Sequence, residues 1–425
     1  AEAARTGAAP DLSRLAEAVT LAGEFAPARA LTVDVLPYDN AGAGDVDALA
    51  LPIATGVAYL RALAEAGVSP AAAFEQIMFR VPANADQFMT IARLRALRRL
   101  WHRVGEVLEV PAEHRAAHQQ AVTSWRMISR DDPYVNLLRG TIATFAAAVG
   151  GAESIVTLPF DTAHGLPNTF SRRMARNTQL LAAEESNVGR VADPAGGSWY
   201  VESLTDALAD AAWSVLQTVE AAGGLSAAIS SGSVAEAIAR VRDARDADIA
   251  TRKAPITGVS EFPNLGEPAF DDSRRGGEGY RYGHAFEDLR DRSDAHLEAT
   301  GSRPTVLLAG LGPQAETTPR VTFIANLLAA GGIEARNPGV TEAGQYAGAR
   351  GDDQIAVLCG ADKRYASEGP TAVAALRDAG ISTVYVAGAE KGFPADATDR
   401  PDGFLGLGID AVDALSTLLD QLGVK

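Results

Sequence analysis

Arg303-Pro-Thr-Val-Leu-Leu-Ala-Gly-Leu-Gly312 reads as a buried strand running into a glycine turn, and 319–330 reads as the helix that follows it. Between strand and helix stand Gln314, Glu316 and Pro319. Working outward, apolar runs at 306–309, 333–335, 355–358, 383–387 and 403–407 alternate with helical runs up to Lys425. Short strands alternating with helices predict parallel pairing, with crossover helices on both faces of a doubly wound sheet.

The larger, amino-terminal part has the same grammar at longer period. From Asp11 to about Lys253, short apolar runs alternate with long amphipathic ones, the pattern of βα repeats around a parallel sheet. Candidate strands lie at 31–36, 77–81, 121–124 and 155–158, with another around 187–191. Helices are expected at 46–66, closed by Gly67 as a left-handed cap, and at 88–107, with Arg93, Arg95, Arg98 and Arg99 off its apolar face. Asp132-Pro133 is expected to start a helix through 148, and further helices fall at 170–184, 204–222 and 234–252. Residues 254–302 are rich in Pro, Gly, Asp and Arg, and the unperiodic Ser273-Arg-Arg-Gly-Gly-Glu-Gly279 predicts a linker lying over a surface. The chain is therefore expected to be α/β throughout, with a (β/α) barrel portion at 1–253, a linker at 254–302 and a flavodoxin-like doubly wound domain at 303–425. A closed barrel needs eight strands. With about four or five found here, a (β/α)8-type barrel would be incomplete.

Composition narrows the function classes. The 425 residues carry a formal net charge of -16, which argues against nucleic acid or an anionic membrane as partner, since both call for clustered Lys and Arg. One cysteine, Cys359, excludes an intramolecular disulfide and fits a reducing cytoplasm. No stretch approaches the roughly 18 to 20 apolar residues of a membrane span.

Several constellations carry chemistry in principle. Gly310-Leu-Gly312-Pro-Gln-Ala315 follows a strand and precedes a helix, with Glu334 placed at the end of the next strand. That imitates a dinucleotide fingerprint, although Pro313 removes an N–H from the loop. His114 and His118 are four apart, as a zinc pair on a helix would be, but no third ligand follows and a solvated helix face is the plainer reading. Asp161 and His164 fall on a strand-to-helix loop, where they either exchange a proton or cap the turn. Cys359 is expected as a buried small hydrophobe at the end of a strand. The arginines of 88–107 suit phosphate, or more plainly solvent or a partner surface. A serine nucleophile elbow, a Walker loop, a metalloprotease helix and a cysteine cluster are all missing from the sequence.

Ser171-Arg-Arg-Met-Ala-Arg-Asn-Thr-Gln179, Glu184-Glu-Ser186 and Asp193-Pro-Ala-Gly-Gly197-Ser-Trp-Tyr200-Val-Glu202 closely resemble the methylmalonyl-CoA mutase family. Ala41-Gly-Ala43, Arg95-Ala-Leu-Arg-Arg-Leu-Trp101, Asp132-Pro-Tyr134 and Leu166-Pro167 extend the resemblance along nearly the whole chain. It implies a (β/α)8-type barrel that holds an acyl-CoA, here lacking its N-terminal part because the start resembles the middle of the family's barrel. It also implies a C-terminal cobalamin domain, and carbon-skeleton isomerisation by adenosylcobalamin radical chemistry.

The departures are as informative as the matches. The family's cobalamin loop is Asp-x-His-x-x-Gly, in which His ligates cobalt, Asp orients it and Gly leaves room for the nucleotide tail. Gln314, Glu316 and Pro319 stand there in this chain. The preceding Lys is matched by Gly310, and the later Gly-Gly by Ala387-Gly388. Where catalytic chains have Arg-Ala-His-Cys-Gln-Thr-Ser-Gly, this one has His118-Gln-Gln-Ala-Val-Thr-Ser-Trp125, so Gln120 and Val122 replace the acyl-binding His and Gln. Val156 replaces another substrate His, and Val35-Leu-Pro-Tyr-Asp-Asn40 stands for Gly-Tyr-His-Met-Gln-Glu. The resemblance therefore implies a non-catalytic small subunit with no catalytic, cofactor-binding or metal residues of its own. In a heterodimer, the large catalytic subunit would carry adenosylcobalamin, and acyl-CoA would be met only through it. An active mutase of altered substrate or cobalamin mode, and a nucleotide-binding regulator using Gly310 to Ala315, are the competing readings.

Overall fold

The computed structural model describes residues 10–25, 27–268 and 279–425. They divide into two compact units: one of residues up to 128, 133–244 and 279–281, the other of 129–132, 245–268 and 282–425.

In the first unit, β1 (Leu31–Asp34), β2 (Ile77–Ala83), β3 (His118–Thr123) and β4 (Ser154–Val156) form one parallel sheet in sequential order. Among the described residues this is an open four-stranded sheet with β1 and β4 as its edges. The strand expected around 187–191 is a short 3-10 turn, Val188–Arg190, entered through Asn187 at φ 53°. A left-handed entry residue breaks the extended run there, although the β-branched Val188 and Val191 favour a strand.

The longer helices here are α1 (Asp47–Glu65), α2 (Gln87–Val107), α3 (Val135–Val149), α4 (Thr169–Leu180) and α5 (Trp199–Ala221). Gly67 takes the left-handed conformation expected of it after α1. By length and composition α1 is apolar enough to cross a membrane, contrary to the expectation from the sequence. About half of its most apolar stretch (56%) is buried, because the helix packs against β1 on one side and α2 and α5 on others. Trp101 of α2 is fully buried, stacked on Phe74 at 4.5 Å and edge-on to Phe79 at 5.0 Å. Gly56 sits mid-helix in α1 because a Cβ there would lie 2.5 Å from the Trp101 ring. The Asp132 cap is not formed: α3 begins at Val135 behind Tyr134, with no side-chain cap, and Asp132 has φ 46°. The family-like run at 171–185 gives α4 and then a π-helical turn, Leu181–Glu185.

α6 (Ser233–Ala250) comes next in the chain. In the second unit, β5 (Thr305–Leu311), β6 (Glu334–Arg336), β7 (Ile355–Gly360), β8 (Thr383–Ala387) and β9 (Gly403–Leu405) are all parallel, in the order β6-β5-β7-β8-β9. This is the doubly wound order expected for it. Alternate residues of β5 serve two cores. Val306 and Leu308 join α7 (His284–Thr300), α8 (Gln314–Ala330) and α10 (Ala411–Gln421) on one face, while Leu307, Ala309 and Leu311 join α9 (Asp362–Asp378) on the other.

Two expectations change. The stretch read as a linker contains α7, whose buried Phe286 and Leu289 make it part of the core. Four acids, two arginines and two histidines between 284 and 296 mask the apolar spacing. Most of Ser273–Gly279 lies outside the described residues. Helix α8 starts at Gln314, so Pro319 lies inside it rather than opening it.

Candidate functional site

Ligands of doubly wound sheets bind outside the carboxyl ends of the strands, where the strand order reverses. In the second unit that point lies between β5 and β7, and the chain's own groups fill it. Gly310 N–H donates to the Val340 carbonyl at 3.1 Å and Gly312 N–H to the Thr341 carbonyl at 3.0 Å, so the glycine-turn donors are already engaged. A Cβ at Gly310 would collide with the Val340 carbonyl, and Gly312 has φ +96°. The hydroxyl of the fully buried Tyr346 donates to the Gly310 carbonyl at 2.8 Å. Tyr365 closes the β7 and β8 ends: its hydroxyl accepts the Gly360 N–H at 2.6 Å and lies 3.0 Å from the Ala387 carbonyl. Above them, Glu316 pairs with Lys363 at 2.8 Å and Arg364 at 3.0 Å, and these two cations hold its carboxyl below the usual range. Gln314 and Pro319 are exposed on α8. Glu334 opens β6 instead of ending it, because the strand begins one residue later than its apolar run, and it is exposed. Cys359 is buried as expected, and burial pushes its thiol up to about 12.

At the carboxyl ends of the first unit's sheet, 36–40 folds into a short helix, Leu36–Asn40, that buries Asp39. Arg126, 1% exposed, meets Asp39 at 3.1 Å and donates to the Ala43 carbonyl at 2.6 Å, while Ser124 Oγ donates to Asp39 at 2.5 Å. A buried ion pair survives desolvation only when such hydrogen bonds complete it. The sequence carried no visible signal for this pair, since its members sit on different βα connections. Gln120 is half-buried, Val122 is buried and Val156 lies on the edge strand β4.

Asp161 and His164 come together in a turn, Thr162–His164, where His164 N–H donates to the Asp161 carbonyl at 3.0 Å. Asp161 also accepts the Asn168 N–H at 3.3 Å, and Asn168 in turn caps α4. These groups shape the loop. His114 and His118 do not share a helix: the first lies in a 3-10 turn and pairs with Glu75 at 2.7 Å, the second opens β3 and pairs with Glu153 at 2.8 Å. The described residues contain no group of three or more His, Cys, Asp or Glu able to hold a metal.

The α2 arginines are structural ties. Arg93, buried, reaches Asp45 at 3.1 Å and the Pro82 carbonyl at 2.9 Å, and Arg98 reaches the Gly150 carbonyl at 2.7 Å. Arg99 pairs with Asp206. Arg95 grips Asp193 through two bonds of 3.0 and 2.9 Å and Glu202 at 2.8 Å, and Glu202 also accepts the Gly197 N–H at 2.9 Å. The Asp193 to Glu202 motif is thus a loop locked onto α2.

The second unit holds one more buried charge cluster. Asp131 lies 3.9 Å from Arg290, which is 3.5 Å from Glu267, while Arg130 donates through its backbone to Glu287 at 2.6 Å and pairs with Asp291 at 2.7 Å. Burial, opposed by Arg290, raises the Asp131 carboxyl to about 7.

Residues 9–278 match the family model for methylmalonyl-CoA mutase. The chain is 50% identical to a probable methylmalonyl-CoA mutase small subunit of Mycobacterium tuberculosis, over 98% of this chain and 68% of that protein. It is 47% identical to the methylmalonyl-CoA mutase small subunit of Propionibacterium freudenreichii subsp. shermanii, over 99% of this chain and 68% of the relative. The methylmalonyl-CoA mutase of Escherichia coli is 36% identical over 54% of this chain and 33% of that protein. The locked Asp193 to Glu202 loop, the two parallel sheets and this similarity agree: the chain belongs to the methylmalonyl-CoA mutase family, whose small subunits it matches along nearly its whole length.

Proposed function

We propose that this chain is the non-catalytic small subunit of a cytoplasmic, heterodimeric methylmalonyl-CoA mutase. Its first unit is part of a (β/α)8 barrel, and a large partner subunit holds both the adenosylcobalamin and the acyl-CoA. The observation that carries this reading is the filled switch point of the second unit. In the family pattern cobalt is ligated by a neutral histidine nitrogen on the loop after the first strand of this unit. This loop offers a carboxylate already bound to Lys363 and Arg364, with Tyr346 and Tyr365 packed beneath. Adenosylcobalamin does not fit these residues, and no chemical step is assigned to it in this chain. The Asp39–Arg126 pair supports the same reading in the first unit, where it occupies the sheet end that would otherwise meet an acyl group. The glycine turn speaks against a nucleotide, because its N–H groups are bonded to residues 340 and 341.

Coexpression with a large mutase subunit tests the proposal. The pair is expected to co-elute on size exclusion and to interconvert methylmalonyl-CoA and succinyl-CoA. Omitting the large chain abolishes turnover, and the isolated small chain shows no corrinoid absorption after reconstitution. Stoichiometric corrinoid on this chain alone, or turnover by it, would refute the assignment.

A further inference from the structure

Helix α4 carries Arg172, Arg173 and Arg176, and at that spacing the three side chains share one side of the helix. All three are exposed, and with Leu180 one turn further on they form the outer face of α4. Ser171 and Ala175, on the opposite side, are buried, and α4 packs against α3. The chain has 54 acidic residues to 38 basic ones, and the arginines of α2 each find an acceptor within it. The three of α4 do not: among the described residues no carboxylate pairs with them, and Arg173 lies only over the Phe170 ring, at 5.5 Å. α4 itself contains no Asp, Glu or Lys.

Like charges three and four positions apart on a helix repel, so this face slightly weakens the chain on its own. The make-up of α4 points to what covers it. Protein interfaces are enriched in Arg, Met and aromatic residues and depleted of Lys, Glu and Asp, as α4 is, and the exposed Phe170, Leu180 and Leu181 add an apolar margin beside the charges. Guanidinium groups hold carboxylates through two parallel bonds, so charge complementarity selects an acidic occupant. An exposed helix face is convex and lacks the concave wall that encloses a small ligand. The rise of about 6 Å from Arg172 to Arg176 matches acids three or four positions apart on a partner helix. We infer that the outer face of α4 docks a carboxylate-bearing segment of the large subunit, with acids against Arg172, Arg173 and Arg176 and an apolar side chain against Leu180. This rests on the proposed function and gives its partner a contact face.

The test is binding of the full chain to a large mutase subunit, measured by surface plasmon resonance between roughly 50 and 500 mM NaCl. Arginine labelling with phenylglyoxal, read by mass spectrometry, locates the contact. Association of the parent chain is expected to slow about tenfold across that salt range, and all three arginines should lose reactivity in the complex. Reversing them together (Arg172→Glu, Arg173→Glu and Arg176→Glu) weakens affinity about a hundredfold at the lower salt and removes the salt dependence, with no loss of stability in urea unfolding. Replacing all three by lysine keeps the association rate but speeds dissociation about tenfold. Should the triple reversal not fold, Arg172→Gln and Arg176→Gln carry the test, each weakening affinity about fivefold. If the parent binds and these variants bind equally well, the docking face is overturned while the proposed function stands. If the parent does not bind, both fall. The docking face is also overturned if methylmalonyl-CoA alone shields the three arginines from phenylglyoxal as fully as the large subunit does, since they would then serve phosphate groups.

Discussion

At the scale of single residues, the second unit's fate is decided by a few hydroxyls and one carboxylate. Tyr365→Phe keeps the ring but leaves the Gly360 N–H without its acceptor, so it should lower stability by about 1 to 3 kcal/mol, measurable by urea unfolding. An unchanged midpoint would mean the hydroxyl is idle. Asp131 makes a pH-dependent prediction. Its carboxyl is raised from 3.8 to about 7, so between those values the folded chain binds the proton that the unfolded chain has released. Its contribution to stability is complete below about 4 and lost as pH rises through about 7. Asp131→Asn should therefore match the parent near pH 4 and exceed it at pH 8, in paired unfolding curves at each pH. A constant offset at both would remove the titration from the account. The resemblance singled out Glu316 as standing where the family pattern has a histidine, but sequence did not reveal it as an ion-pair anchor, because Lys363 and Arg364 come from α9, across β6 and β7 in sequence. Asp131 was invisible for the same reason: its raised carboxyl arises from burial beside groups more than a hundred positions away.

At the scale of elements, periodicity located the strands and most helices, since a sheet covered on both faces and a helix with one apolar stripe each leave a local signature. It failed where the deciding partner is remote. The arginines of α2 look like a solvated face in sequence, yet each finds a specific acceptor, and Arg95 binds two carboxylates at once. α7 was lost inside a charged stretch because its apolar residues are few, though Phe286 and Leu289 are buried in the core. The Arg95 clamp yields a prediction about an element instead of a side chain. Arg95→Ala should free the Asp193 to Glu202 loop, lowering stability by about 1 to 3 kcal/mol and opening 187–198 to limited proteolysis. Arg95→Lys should recover little, because one ammonium cannot reproduce the planar fork that grips Asp193 with two parallel bonds. Recovery by lysine of full protease resistance would show that charge alone suffices.

For the molecule as a whole, the decisive feature is an open parallel sheet in a chain that spans 68% of its small-subunit relatives. Sequential parallel order leaves β1 and β4 as the edge strands among the described residues, where a further parallel strand could pair. Beside β4, helix α3 turns Leu138, Ile142 and Phe145 outward at spacings of four and three, with Leu138 65% exposed. One apolar stripe on a helix that already packs its other side against β2, β3 and β4 is a face on which a further helix could pack. Further βα units are the cover that would satisfy the edge and the stripe together, since a parallel strand supplies the hydrogen bonds and its crossover helix the apolar contact. The 425-residue polypeptide by itself is accordingly expected to self-associate at micromolar concentration in sedimentation velocity. A polypeptide of the relatives' full length should not, and its β4 and α3 amides should exchange more slowly with deuterium. Leu138→Glu separates packing from strand pairing: it should reduce self-association of the shorter chain and destabilise the longer one by about 2 to 3 kcal/mol, the scale of losing a buried leucine to a charge. A shorter chain that stays monomeric, with β4 amides as protected as those of β3, would show that the sheet needs no further strands.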